Sequence, residues 1–170
     1  MIYTTVNLYT TDFRQGLTYR AAALFVAGNI LLPQLCHLFS MGGPTWLPIY
    51  FFTLVGAYKY GWRTGLLTAI ASPAANALLF GMPAAAALPA ILLKSVVLAL
   101  VAGRTAARFR RASLLLLTGV VAAYQTVGTL GEWALTGDLY AAMQDFRIGL
   151  PGMLVQLFGG WALINFVIRK

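Results

Sequence analysis

The sequence has few charged residues, and this shortage excludes an ordinary soluble fold. Charged residues make up 9% of the 170 residues, whereas hydrophobic residues make up 60%. Soluble domains carry about 25% charged residues. A soluble chain of this length could not bury so much apolar surface. The sequence therefore predicts an all-α integral membrane protein.

Cysteine and histidine each occur once, which excludes several kinds of site. With Cys36 alone there is no internal disulfide, cysteine-based zinc cluster or iron–sulfur site. One histidine and one cysteine leave little for nucleophilic catalysis, and the sequence contains no HExxH, GxSxG or Walker motif and no carboxylate pair. We expect no enzyme activity, no metal and no cofactor, and no nucleotide site that would power transport.

The net charge of +8 does not indicate nucleic-acid binding, because the cations stand at the ends of apolar runs. A cleavable signal peptide is not expected, since residues 1–20 are polar and mixed. Residues 1–17 are expected to form a cytoplasmic arm or an interfacial segment, and residues 18–168 a compact six-helix bundle in one domain.

Six apolar runs approach the roughly 20 residues that cross a bilayer. They are Thr18 to Phe39, the short run Trp46 to Tyr58, Trp62 to Phe80, Ala85 to Ala102, Ala112 to Leu135, and Gly149 to Ile168. Turn signals such as SMGGP, FGMP and LTGD separate them.

The distribution of Lys and Arg predicts the orientation of these runs. Ten cations fall on one side: Arg14, Arg20, Lys59, Arg63, Arg104, Arg108, Arg110, Arg111, Arg169 and Lys170. The first and third connections contain no cation, and the fifth contains only Arg147, beside two aspartates. With six spans, the positive-inside rule places both termini in the cytoplasm.

Small residues recur along the runs, notably at Ala23 and Ala27 in the first. Because helices gain little hydrophobically by contact in lipid, small residues allow the close approach that holds them together. This spacing serves either internal packing or docking of a partner membrane protein.

Lys94 is the sharpest candidate for function, since we expect it near the middle of the fourth run. A buried ammonium needs a counter-charge, a cavity or a lowered pKa. Two interpretations remain open: a structural pair with Glu132, or contact with an anionic group of a ligand.

Further polar or aromatic residues in the runs are candidates for ligand contact. They are Gln34, His37, Trp46, Tyr50, Asn76, Tyr124 and Glu132. The alternatives are a solvated His37, an interfacial aromatic belt for Trp46 and Tyr50, and a repaired helix kink at Asn76. In the last case Asn76 or Ser72 would satisfy the carbonyl that Pro73 leaves without a donor.

The order of several motifs resembles the substrate-binding S component of energy-coupling factor (ECF) vitamin transporters. The motifs are LLPQLCHLF, GGPTWLP, VGAYKYGWRTGLLTAIASPAANALLFGMP and LPAILLKSVVLALVAG, within residues 31–103. The resemblance implies a six-helix protein of the prokaryotic cytoplasmic membrane that captures a micronutrient at its outward face. Its partners would be a T component and two cytosolic ATPases, which alone would hydrolyse ATP.

The resemblance also implies roles for particular residues. Ala23 and Ala27 match the small-residue pattern that contacts the T component, and Asn76 and Met82 fall beside the expected pocket. That pocket would lie under the connections between runs one and two, three and four, and five and six.

The chain departs from the family at two positions, where Lys94 replaces a usual glutamate and Tyr50 a usual histidine. The reversed charge favours an anionic ligand. An autonomous secondary transporter or channel, or a ligand-free assembly subunit, are the alternative functions.

Overall fold

The computed structural model describes residues 8–39 and 41–168, and all regular secondary structure in these ranges is helical. The long helices are α1 (Gly16–Cys36), α3 (Phe51–Tyr60), α4 (Trp62–Phe80), α5 (Leu88–Phe109) and α6 (Leu114–Thr136). Short helices lie between them: α2 (Gly42–Trp46), a 3₁₀ turn (Pro48–Tyr50), α7 (Leu139–Ala142) and α8 (Gln144–Ile148). The final helix, Leu150–Val167, consists of α9 (Leu150–Leu154) and α10 (Gly160–Ala162), each followed by a π-helical segment, Val155–Gly159 and Leu163–Val167.

The predicted all-α class is confirmed for the part of the chain that the structure describes. The first seven residues of the predicted arm, and the tail cations Arg169 and Lys170, lie outside it. Residues 8–15 precede the first helix and contact α3 and α4. The backbone N–H of Tyr9 donates to Lys59, and the Thr11 hydroxyl donates to the carbonyl of Tyr60.

Within the described residues, four helices are long and apolar enough to cross a membrane: Gly16–Cys36, Leu88–Phe109, Leu114–Thr136 and Leu150–Val167. Helix α4 has 19 residues, but Arg63, Ser72 and Asn76 lower its mean hydropathy. Helix α3 has only 10 residues. The structure therefore confirms several apolar helices compatible with a membrane-embedded protein, whereas six spans and the orientation of the termini remain predictions.

Lys94 does not lie near the middle of its helix, in contrast to the prediction. Helix α5 begins at Leu88 and ends at Phe109, so it extends well beyond the apolar run that ends at Ala102. The extension contains Ala and Arg residues, which favour helix. Lys94 consequently lies in the second turn of α5, about 9 Å from its start at a rise of about 1.5 Å per residue, rather than near its middle.

Polar side chains are buried alongside an apolar core, and large apolar side chains are exposed on the surface. Helix α3 is central, with residues 53–59 all buried, and it contacts α1, α4, α5 and the final helix. Buried polar side chains are frequent: Thr18, Asn29, Thr53, Thr64, Thr68, Ser72, Asn76, Lys94, Ser95, Gln125, Gln156 and Asn165. Large exposed side chains include Leu24, Leu31, Leu78, Leu115 and Val167, at 65–86% exposure. Apolar exposure of this extent around buried polar groups is compatible with lipid as the surrounding solvent.

The two ends of the bundle differ in charge. The start of α4, the end of α5 and the start of α6 lie at one end. There the hydroxyl of Tyr58 donates to the carbonyl of Arg111, and Asn165 donates to that of Ala112. The other end contains the last turns of α1, α4 and α6 and the first turns of α5. Because most cations outside the final tail belong to the first end, the two ends are chemically distinct.

Candidate functional site

A cavity of about 350 Å³ lies at the end of the bundle opposite most of the cations. Its wall is formed by the last turns of α1, by α2 and the 3₁₀ turn, by the α4–α5 connection, and by parts of α5, α6 and α8. Exposed His37, Met82 and Gln144 mark its opening, whereas Tyr50, Asn76 and Lys94 are buried along it. Proline, alanine, leucine and isoleucine make up much of the rest of the wall. A mainly apolar cavity with a few polar groups is typical of small-molecule sites.

Seven of the nine residues predicted to contact a ligand line this cavity. They are Gln34, His37, Tyr50, Asn76, Met82, Lys94 and Glu132. The sequence separates the first and last of them by nearly one hundred residues, so the fold alone brings them together.

Lys94 forms a charged cluster with two carboxylates. Its Nζ makes salt bridges with Oε2 of Glu132 and, at 2.9 Å, with Oδ2 of Asp145. The side chain of Lys94 is 5% exposed, against 20% for Glu132 and 12% for Asp145. The predicted structural pair with Glu132 is therefore present, and Asp145 completes it. A lysine already neutralised by two carboxylates does not present a free positive charge to a ligand.

Gly128 on α6 makes room for this cluster. A Cβ atom placed there would lie 2.4 Å from Cγ of Lys94, which is far inside van der Waals contact. Glycine thus allows the lysine stem to lie directly against the α6 backbone. Sequence analysis missed Gly128, although glycine in a helix interior is itself a signal of close approach, since it costs up to about 1 kcal/mol of helix stability.

Asn29 connects three helices beneath the cavity. Its Nδ2 donates to the hydroxyls of Thr53 and Ser72, both at 3.1 Å, and its Oδ1 accepts from the backbone N–H of Phe52. These bonds join α1, α3 and α4. Asn29 is fully buried, and the network satisfies polar groups that would otherwise be costly in an apolar surrounding.

Asn76 belongs to the same region but faces the cavity as well. Its Nδ2 donates to the carbonyls of Asn29 and Ser72, both at 2.9 Å. The amide therefore does not repair the Ala69 carbonyl that Pro73 leaves without a donor, and α4 continues through the proline as a helix. The prediction that Asn76 satisfies this carbonyl is wrong, because its amide instead links α4 to α1.

Asn76 also has an unused acceptor. Its side chain is buried, with 2% exposure, and its Oδ1 has no hydrogen-bond partner among the described residues. Nε2 of Gln34 likewise has no partner within the described ranges. Both residues line the cavity. Buried polar atoms are normally paired, so unpaired ones at a cavity wall are available to a bound molecule.

Trp46 and Tyr124 do not line the cavity, in contrast to the prediction. The Tyr124 hydroxyl donates to Oε1 of Gln156 at 2.8 Å and accepts from Nε2 of Gln125, so its hydrogen bonds are made behind the cavity wall. Its ring lies 5.5 Å from that of Tyr50, which occupies the wall instead. Trp46 is 42% exposed. It lies on α2, whose Gly43 and the adjoining Leu47 face the cavity.

Ala23 and Ala27 are both exposed on one face of α1, whereas Ala21, Ala22 and Phe25 on the opposite face are buried. Internal packing is therefore the wrong explanation for Ala23 and Ala27. It is correct for their buried neighbours.

Asp145 and Gln144 are polar residues of the wall that were not among the predicted ligand contacts, although Asp145 is one of the few acids available to Lys94. They lie on α8, a five-residue helix in the connection between α6 and the final helix. A connecting segment gives no periodicity from which its contacts could be inferred. The available signal was the scarcity of acids: the sequence has only four, and a buried lysine requires one or more of them.

A metal centre is not indicated by the described residues, in which no group of three or more His, Cys, Asp and Glu side chains is placed to hold an ion. Comparison of the chain with family models, curated proteins and solved structures found no match. The function is therefore inferred from the sequence pattern and the geometry of the cavity.

Proposed function

We propose that the chain is the substrate-capture (S) subunit of an ECF-type importer. In this proposal it binds a vitamin or related micronutrient and delivers it by association with a T component and two cytosolic ATPases. One observation carries the proposal. The four motifs that resemble the family follow one another within residues 31–103, and each contributes to one cavity wall: Gln34 and His37, then Gly43 and Pro44, then Asn76 and Met82, then Lys94.

The position of the cavity supports the same function. The connections between the first and second, third and fourth, and fifth and sixth runs all contribute to its wall, as an S component requires. Its volume of about 350 Å³ falls in the range of about 300–1,000 Å³ that small-molecule sites occupy. Most of the cations lie at the opposite end of the bundle. Under the positive-inside rule the cavity would open outward.

Six spans with both termini in the cytoplasm form part of this proposal. Helix α3 is too short to cross a bilayer alone, but the surrounding helices bury it and shield it from lipid. The polar residues of α4 are also turned inward: Thr68, Ser72 and Asn76 are all buried. Polar groups satisfied within a bundle are tolerated at membrane depth. The host membrane would be the prokaryotic cytoplasmic membrane.

The exposed face of α1 is the proposed contact for the T component. Ala23 and Ala27 lie on it, with Leu24 and Leu31 beside them. Small exposed residues allow another helix to approach the backbone closely, which is how helices associate in lipid. Nucleotide hydrolysis would belong to the ATPase partners, since the sequence has no Walker motif.

Reconstitution separates this function from its alternatives. The purified chain should bind a small molecule at near one-to-one stoichiometry by native mass spectrometry. Vesicles containing the chain alone should not accumulate that molecule, whereas vesicles that also contain the T component and the ATPases of the same organism should do so with ATP. Accumulation by the chain alone would indicate an autonomous transporter. A chain that binds nothing would indicate an assembly subunit.

A further inference from the structure

The charge of the cavity gives information about its ligand that the proposed function leaves open. Among the described residues of the wall, Lys94 is the only Lys or Arg, and it faces two carboxylates, Glu132 and Asp145. The formal balance is an excess of one negative charge. The anionic ligand expected from the sequence depended on Lys94 being the dominant charge of the site.

An anion at Lys94 would have to approach both carboxylates at the same time. The two salt bridges occupy two of the three donors of the ammonium group. Like charges brought together in a partly buried site repel strongly, because water screens them little there. Lys94 therefore acts as the group that holds the two carboxylates in place.

Acceptors, in contrast, are in surplus along the wall. Lys94 contacts Oε2 of Glu132 and Oδ2 of Asp145, and a carboxylate accepts about four hydrogen bonds in total. Asn76, which is 2% exposed, adds an Oδ1 without a partner among the described residues. Its amide group cannot turn to present a donor instead, because Nδ2 already donates to two backbone carbonyls.

We propose that the ligand presents a cationic nitrogen, such as an ammonium, amidinium or protonated ring nitrogen, to Glu132 and Asp145. Asn76 Oδ1 accepts a further hydrogen bond from the ligand. This inference rests on the proposed function, since it specifies the ligand of the same cavity. It reverses the ligand charge expected from Lys94 alone.

Native mass spectrometry of the detergent-purified wild-type chain tests the proposal without any substitution. The chain is incubated with an equimolar mixture of cations (thiamine and pyridoxamine), uncharged compounds (pyridoxine and riboflavin) and anions (biotin, pantothenate and 4-pyridoxate). The molecule bound at near one-to-one stoichiometry, whether added or co-purified, is expected to be a cation. A bound anion, or equal binding of cationic and uncharged compounds, overturns the charge inference and leaves the capture function standing. A chain that binds no molecule overturns both.

Substitutions of similar shape then test the named residues. Glu132→Gln and Asp145→Asn each remove one charge, and each should weaken binding of the cation by about 10- to 100-fold, as expected for loss of a charged hydrogen bond. In the double variant Lys94 is unopposed, and binding should shift towards anions. The control is Asp138→Asn, at the exposed N-cap of α7, where either residue accepts from the Ala141 N–H. Unchanged cation affinity in both folded single variants contradicts the proposal, and if a variant does not fold, the charge of the wild-type ligand decides.

Discussion

Nζ of Lys94 lies 2.9 Å from Oδ2 of Asp145, although 51 residues separate them in the sequence. The contact joins α5 to the short helix α8 and, through Glu132, to α6. The connection between α6 and the final helix is thereby tied to the bundle at the cavity. The same ion pairs would set the charge that the proposed ligand meets, so in this proposal stability and specificity depend on one cluster.

Removal of the lysine should destabilise the protein strongly. Lys94→Met leaves two partly buried carboxylates without their shared cation, and breaking a buried pair in this way costs about 3–5 kcal/mol. Thermal unfolding of the purified chain in detergent, followed by tryptophan fluorescence, should show a clear drop in melting temperature. Arg104→Met, at an exposed position on the same helix, is the control and should change it little. Equal effects of the two substitutions would argue against a stabilising cluster.

Gly128→Ala should displace Lys94. The added Cβ would meet Cγ of Lys94 at 2.4 Å, and overpacking of this kind costs about 1–3 kcal/mol. Gly119→Ala on the same helix meets no atom of the described chain within 4 Å. It should be neutral or stabilising by up to about 1 kcal/mol, because alanine favours helix. A melting temperature that falls for Gly128→Ala and rises or stays for Gly119→Ala would support the contact, and the reverse order would refute it.

Tyr124→Phe should lower stability without changing ligand binding. The hydroxyl connects Gln125 and Gln156 inside the protein, and leaving their polar atoms unpaired costs about 1–3 kcal/mol. The ring would still support Tyr50, so the cavity wall should keep its shape. Unfolding and ligand-affinity measurements on the same sample separate the two effects. Tyr19→Phe, at a position 53% exposed, provides the control. A large loss of affinity in Tyr124→Phe would place its hydroxyl in the site after all.

Larger residues at the proposed docking face should disturb assembly only. Both alanines are exposed, so Ala23→Leu and Ala27→Leu add side-chain volume without disturbing the packing inside the bundle. Co-purification with the T component and ATPases should fall at least about tenfold, as loss of about 1.4 kcal/mol would cause, while ligand affinity stays unchanged. Ala122→Leu, exposed on α6, is the matched control. Normal assembly in both α1 variants would exclude this face.

Cysteine labelling should place the cavity outside the cell and the cations inside. The only native cysteine is replaced first, in Cys36→Ser, and single cysteines are then introduced as Asp138→Cys and Arg110→Cys. Both positions are exposed. A membrane-impermeant maleimide should label Asp138→Cys in intact cells and Arg110→Cys only after lysis. The opposite pattern would reverse the proposed orientation, and labelling of both in intact cells would contradict the span count.

The limits of the long helices follow mostly from local sequence. The third run was predicted at Trp62 to Phe80, and α4 has these bounds, because Gly61 and Gly81 adopt positive φ on either side and end the helix geometry. The second run was less predictable. It was predicted at Trp46 to Tyr58, but α2 ends at Trp46, a 3₁₀ turn spans Pro48–Tyr50, and α3 runs from Phe51 to Tyr60. Leu47 adopts a positive φ that ends α2, and Pro48 has no backbone N–H with which to continue it.

Composition and the spacing of apolar runs indicated an all-helical chain suited to an apolar surrounding. They also indicated most of the polar residues at the cavity, because polar groups are rare in apolar runs and therefore conspicuous. Tertiary structure decided the rest. Whether Ala23 packs or is exposed depends on the rotation of α1, and the placement of Asp145 depends on how a loop folds back over the bundle. The charge balance at Lys94 was likewise undetermined by the sequence, because electrostatic energy depends on distances between residues that lie far apart along the chain.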